Sequence, residues 1–264
     1  MLRSLALQKY WKTAAMAATS FTGDSLWFVL DYLLRFLRVA LLLAIWRTIL
    51  AGKETAGMSL DAVLTYTLIA TAFADPLASR TGLDTALWNG SIATRFLQPM
   101  GVVGHFVAEM MGGWLFGFAI FTAPLLLAAP LLGVSPLPAS VGAGLLFVIS
   151  LALGVTVGVA LDFIFAALMV AFNWTVWDVE RLRAAVGTVL SGSLLPLALL
   201  PWGLGEVFAW LPFAAMAWAP LSVYTGTGDP LRLMVLQVAW AAALWPLAQW
   251  LWWINRQKVV VYGG

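Results

Sequence analysis

VGAGLLFVISLALGVTVGVALDFIFAALMVAF, residues 141–172, decides the architecture, because this whole stretch holds a single charged side chain, Asp162. A spanning helix needs about 20 mostly apolar residues, each adding about 1.5 Å across a hydrocarbon layer of roughly 30 Å. The stretch exceeds one level crossing, so it is expected to tilt strongly, to project into the cytosol or to break near Gly154 to Gly158. Working outward, five further apolar stretches lie within Leu26 to Leu50, Ala62 to about Phe73 and on toward Leu77, Val102 to Leu127, about Ala184 to Leu200, and Leu231 to Ile254. The expected fold is all-α: a polytopic membrane protein with six transmembrane helices in one domain over residues 1–264.

The composition agrees. Of 264 residues, 62% are hydrophobic and 10% charged, against roughly 25% charged in an average soluble domain. Lipid is the natural solvent for most of such an exterior. With no Cys and one His, at position 105, disulfides, thiolate ligands and multi-histidine metal clusters are excluded, and no metal site is expected. The net charge of +2 is set by short loops and gives no indication of nucleic acid. No G-x-x-x-x-G-K-[ST] phosphate loop occurs, so no cofactor or catalytic residue is expected in this chain, and ATP must be handled by a partner.

Basic residues near span ends are retained on the cytoplasmic side. With both termini inside, the inner segments hold Arg3, Lys9, Lys12, Arg80, Arg95, Arg181, Arg183, Arg256 and Lys258, and the outer ones Arg47, Lys53 and Arg232. That bias favours the inside placement. Residues 1–24 read as an interfacial helix on the inner leaflet, with Leu7, Trp11, Ala14 and Ala18 on one face and Lys9 and Lys12 roughly opposite. Most of the fifteen Trp residues fall near span ends, where an amphipathic indole belongs.

Ionisable residues within spans are functional candidates by default. Asp31 and Arg35 stand at i and i+4, with Arg38 one turn on as an excess cation; the group reads as an interfacial anchor or as a contact for an anionic substrate or lipid. His105 and Glu109 are also four apart and read as a structural pair or a proton-coupling pair. Asp162 has no basic residue within two turns on its own helix, so it faces a protein-lined cavity or stays near the inner interface.

Two irregular segments remain. Residues 78–101 form a short cytoplasmic connector, partly helical and closed by Pro99, expected to expose Arg80, Asp84 and Arg95 around Leu87, Trp88, Ile92 and Phe96. Such a segment can dock into a groove on a soluble partner. Between Ser191 and Pro220 the residues Pro196, Pro201, Pro212 and Pro220 break the helical ladder in an apolar context. Irregular backbone at membrane depth needs cover from protein or a watery cavity, so a re-entrant or surface-lying helical pair on the outer side is expected over 201–222, the alternative being a proline-kinked span followed by a buried loop.

The ordered motifs NGSIATRFLQP (89–99), FNWTVWD (172–178), SGSLLPLALLP (191–201), LPF (211–213) and the terminal VVVYGG resemble the permease subunits of type 2 ATP-binding-cassette exporters, particularly the bacterial group in which two related permeases serve a separate ATPase. The resemblance implies a cytoplasmic coupling helix at the connector, with Arg80, Asp84, Trp88, Gly90, Arg95 and Pro99 as candidate ATPase contacts. It implies an outer gate at Gly192, Pro196, Pro201 and Pro212. Where an acid commonly follows the glycine of the connector motif, this chain has Ser91. Implied partners are two ATPase copies holding ATP and Mg, a second permease that is a sister chain rather than a copy of this one, and the lipid of a bacterial inner membrane. Two other functions compete. An autonomous proton-coupled carrier would use His105, Glu109 and Asp162 as relay, although no inverted repeat is visible. An intramembrane enzyme would use Ser191 or Ser193 but lacks a base.

Overall fold

In lipid every backbone N–H and C=O must be satisfied within its own segment, so apolar runs free of breakers become helices. The computed structural model describes residues 2–20, 26–51, 58–98 and 100–262. Among them the regular structure is helical: α1 (Leu2–Ser20), α2 (Leu26–Ile49), α3 (Leu60–Ala72), α4 (Ala74–Ala78), α5 (Leu83–Trp88), α6 (Ile92–Phe96), α7 (Val102–Gly117), α8 (Ala123–Ala128), α9 (Val141–Phe172), α10 (Val176–Leu190), α11 (Leu204–Ala209), α12 (Pro212–Met216), α13 (Trp218–Tyr224) and α14 (Pro230–Tyr262). Among the described residues three stretches are long and apolar enough to cross a membrane: Val102–Leu132, Val141–Phe172 and Pro230–Asn255. The protein is an all-α membrane protein.

The central element is α9. Ser140 Oγ accepts the Ala143 N–H at 3.0 Å to start it, and Asn173, in the left-handed region at φ 55°, ends it. Its 32 residues form one unbroken helix, about 48 Å long at 1.5 Å per residue, so the break near Gly154 to Gly158 does not occur. Gly154 and Gly158 are where neighbours approach. A Cβ on Gly154 would lie 2.8 Å from the Met216 carbonyl oxygen, and one on Gly158 would lie 2.5 Å from Ser79 Cβ. Helix α14 packs along α9, and α12 and α13 cover its other flank. Gln237 of α14, fully buried, donates to the carbonyls of Ser150 at 2.9 Å and Ala215 at 2.8 Å and accepts from Ser150 Oγ at 2.9 Å. One amide side chain thus fixes three helices.

Other boundaries differ from expectation. The second apolar stretch stops at Phe73 (φ −106°) and resumes as α4, so it does not continue to Leu77 as one helix. The third reaches Leu132 through a π-helical turn, Phe118–Thr122. Pro124 has no N–H and its ring crowds the carbonyl four residues back, so the widened turn sits where the ladder is interrupted. The fifth does not run from Ala184 to Leu200. Instead α10 starts at a Thr175–Asp178 capping box and ends at Leu190, because Gly192 (φ 73°) and Pro196 break it. Over 201–222, α11 buries no residue while α13 is largely buried. Helix α1 packs on α7, with the Ala14 carbonyl against Gly112; Ala14 is buried and Trp11 is exposed, so these two residues do not share one environment.

Candidate functional site

The functional geometry gathers where α4, α5, α9 and α10 meet. If Val141 marks one hydrocarbon edge, Asp162 lies about 31 Å along α9, at the opposite edge, where an acid is least costly. Its side chain is 2% exposed and pairs with Arg183 of α10. Thr81, in the α4–α5 turn, donates both its backbone N–H (2.9 Å) and its hydroxyl to Asp162 Oδ2. Arg183 also donates to the carbonyls of Ala78 (3.0 Å) and Ser79 (3.3 Å). A single ion pair therefore ties the start of the connector to two long helices. The acid that lacked any partner on its own helix has one from another. Arg183, counted in the sequence only as an inner charge, is one of the residues that sequence reasoning missed, because periodicity does not show which polar residue of α10 turns inward.

The connector itself is a pair of short helices. Leu83, Leu87 and Ile92 are fully buried, anchoring α5 and α6 to the bundle, while Trp88 (45%), Phe96 (48%) and Leu97 (87%) are exposed. Gly90, at φ 74°, makes the turn between them. Two expected surface charges are corrected. Asp84 is buried, its Oδ1 accepting the Thr85 N–H at 2.7 Å. Arg95 turns inward to Glu109, its Nη2 lying 3.1 Å from both carboxylate oxygens, and its guanidinium lies over the Phe106 ring. Arg80 remains exposed, 3.8 Å from Glu180 of α10. Pro99 lies outside the described residues.

Glu109 also meets His105 Nε2 at 3.0 Å, so the expected pair is a triad with Arg95. His105 Nδ1 and Arg95 Nε are buried without partners among the described residues. On α2, Arg35 bonds Asp31 at 2.9 Å and also reaches Asp75 of α4 at 3.4 Å, while Arg38 has no ion pair among the described residues and is exposed. A cleft of about 1060 Å³ near this group is lined by Tyr32, Arg35, Asp75, His105, Glu109 and Trp114 among others.

A second cavity, of about 250 Å³, lies between α2, α3, α4, α9, α10 and α12. Ser191 and Ser193 line it, and between them Gly192 is held by Tyr66, whose hydroxyl donates to the Gly192 carbonyl at 2.7 Å. The Trp218 N–H donates to the Ser191 carbonyl at 2.9 Å. A Cβ on Gly192 would lie 3.0 Å from Leu197 and from Trp218. Pro196 opens the short 3-10 turn at Leu197–Leu199, Pro201 is exposed beyond it and Pro212 starts α12. Ser191, Ser193 and Leu194 line the cavity, while Gly192, Pro196, Pro201 and Pro212 lie outside its lining.

Long apolar helices, a two-helix connector locked to the bundle and a cavity inside it define a membrane permease. The family model described as ABC-2 family transporter protein matches residues 35–260, and the chain belongs to that family. Its members are membrane components of transporters that work with ATP-binding-cassette ATPases. Among curated proteins no relative matches the chain.

Proposed function

We propose that this chain is the permease of an ABC exporter in a bacterial inner membrane, forming the path with a second, related permease and driven by two copies of a separate ATPase. The observation that supports it best is the connector: α5 and α6 bury Leu83, Leu87 and Ile92, and present Trp88, Phe96 and Leu97 outward. An exposed aromatic and apolar face on a rigid support suits a groove on a soluble partner. The adjacent turn is fixed to α9 and α10 through Asp162, Arg183 and Thr81, so a push on the connector reaches the helices that wall the smaller cavity. In this reading both termini and the connector lie in the cytosol, and α2, α3 and α10 supply the crossings beyond the three long ones. Gly192 and Pro196, with Tyr66 and Trp218 behind them, form the outer gate.

The proton-coupled carrier has less support. Its relay would join His105 and Glu109 on α7 to Asp162 on α9, yet among the described residues Asp162 bonds only Arg183 and Thr81.

The test is to purify the chain from its own cells in lipid nanodiscs with whatever ATPase accompanies it, and to compare Trp88→Ala/Phe96→Ser/Leu97→Ser. Loss of three exposed anchors should weaken ATPase association by about tenfold or more, with the permease's unfolding midpoint unchanged. A wild-type chain carrying no ATPase, or a triple variant that keeps the ATPase and its hydrolysis rate, would refute the reading.

A further inference from the structure

We propose that the smaller cavity binds an anionic amphiphile, with an acid or phosphate group held by Arg38 and Arg80 and an apolar chain lying along Leu42, Phe165, Phe213 and Met216. The charge of the wall is the first ground. The charged side chains lining it among the described residues are Arg38, Arg80 and Arg183, with no carboxylate. Arg183 is neutralised by Asp162, and Arg80 meets Glu180 only at the long distance of 3.8 Å. Arg38 has no counter-ion among the described residues. It lies on α2 and lines the cavity together with Arg80, so its charge is left for an anion that enters.

The remaining wall makes few competing demands. Thr67 and Thr71 donate their hydroxyls to the carbonyls four residues back, at 2.8 Å each, and Ser191 bonds Ser193 at 3.0 Å. Uncompensated charge is therefore concentrated at the arginines, and most of the remaining surface is apolar. Arg183, Gly187, Thr188 and Ser191 form one stripe of α10 along the cavity, about 12 Å from end to end, which suits a chain extending from its head group. The volume of about 250 Å³ falls below the roughly 300–1,000 Å³ of pockets that enclose a drug-sized ligand. One permease therefore covers only part of the ligand, and its other side faces lipid or the second permease. As the class of cargo, this inference rests on the permease reading; as a binding site it does not.

The experiment uses the full chain in phosphatidylcholine nanodiscs, without ATP or ATPase, and measures equilibrium binding of radiolabelled decyl phosphate. Decyl maltoside, decyltrimethylammonium and inorganic phosphate serve as competitors. Decyl phosphate should bind about tenfold tighter than either the neutral or the cationic amphiphile, the scale of a charge-assisted contact. Arg38→Gln/Arg80→Gln should lose that advantage, and Arg38→Lys, which keeps the charge, should retain most of it. Both arginines are exposed, so the variants should keep the wild-type unfolding midpoint. Equal binding of all three amphiphiles, or an unaffected double variant, overturns the proposal. Inorganic phosphate competing as well as decyl phosphate overturns the amphiphile assignment. Loss of permease pairing in Arg38→Gln with decyl phosphate binding intact also overturns it, since Arg38 then serves the interface. Failed binding leaves the ATPase coupling result standing, and failed ATPase coupling leaves binding readable, so the two readings fail separately.

Discussion

Replacing Asp162 by alanine would strand the Arg183 guanidinium, 10% exposed, and remove the acceptor of two Thr81 donors. Breaking a buried pair by removing one partner costs about 3–5 kcal/mol, because the remaining charge is uncompensated. In a domain of this size that corresponds to a fall in unfolding midpoint on the order of 10 °C. Replacing both partners, as Asp162→Leu/Arg183→Met, removes the stranded charge. What remains unsatisfied is the N–H and hydroxyl of Thr81 and the Ala78 and Ser79 carbonyls, a loss of about 4 kcal/mol at about 1 kcal/mol each, whereas Asp162→Ala strands the same two Thr81 donors in addition to the buried charge. The double variant should therefore be more stable than Asp162→Ala. A double-mutant cycle on thermal unfolding in nanodiscs measures this coupling. Since Trp88, Phe96 and Leu97 are untouched, the double variant should still hold the ATPase while stimulation of hydrolysis falls. If the singles add without coupling, the pair is not a buried unit. If the double variant stimulates the ATPase normally, the lock contributes stability and does not transmit motion.

Three other outcomes are expected. Gly158→Ala places a methyl 2.5 Å from Ser79 Cβ and should cost about 1–3 kcal/mol as overpacking; adding Ser79→Gly, at a residue with φ 48°, should recover much of it in the same unfolding assay. Tyr66→Phe leaves the buried Gly192 carbonyl without its 2.7 Å donor and should lower stability by about 1–3 kcal/mol, while raising passive leak of a fluorescent probe through reconstituted permease if Gly192 belongs to the gate. Asp178 sits ahead of the apolar part of α10, and hydrogen bonds first from the Thr175 hydroxyl and then from its N–H hold its carboxyl below the usual range. Its contribution to the helix start is present above the ordinary carboxylate pKa and lost as pH falls through the depressed one; an NMR titration should show the depression, and Thr175→Val should reduce it.

Much of the architecture was legible because hydropathy reports directly on contact with lipid. Residues 141–172 read as helical, with a break near Gly154 to Gly158 left open, and form one helix, and the proline-rich segment after Leu190 reads as irregular and is so. The candidate site was less legible. Asp84 and Arg95 looked like surface charges because an apolar–polar pattern in a short connector cannot say which face meets the bundle. Arg183, Asp75 and Gln237 were missed because each finds its partner on a helix distant in sequence, and one-dimensional periodicity holds no register between helices. The overlong fifth stretch failed differently: Leu194 to Leu200 is apolar enough for a span, but Gly192 and Pro196 set a backbone path that hydropathy ignores.

The π-helical turn at Phe118–Thr122 fixes the phase between two halves of one helix. Upstream, α7 turns His105 and Glu109 toward the connector; within the turn, Phe121 meets Phe36 at 5.0 Å and the Thr122 hydroxyl donates to the Ala72 carbonyl at 2.6 Å. A wide turn holds one residue more than an α turn, so removing it would rotate one half against the other by about 100°, one residue's share of a 3.6-residue turn. Aligning the aromatic contacts would then misalign the triad. Pro124 works as a clutch plate, holding the two ends of the helix in step although they answer to different neighbours.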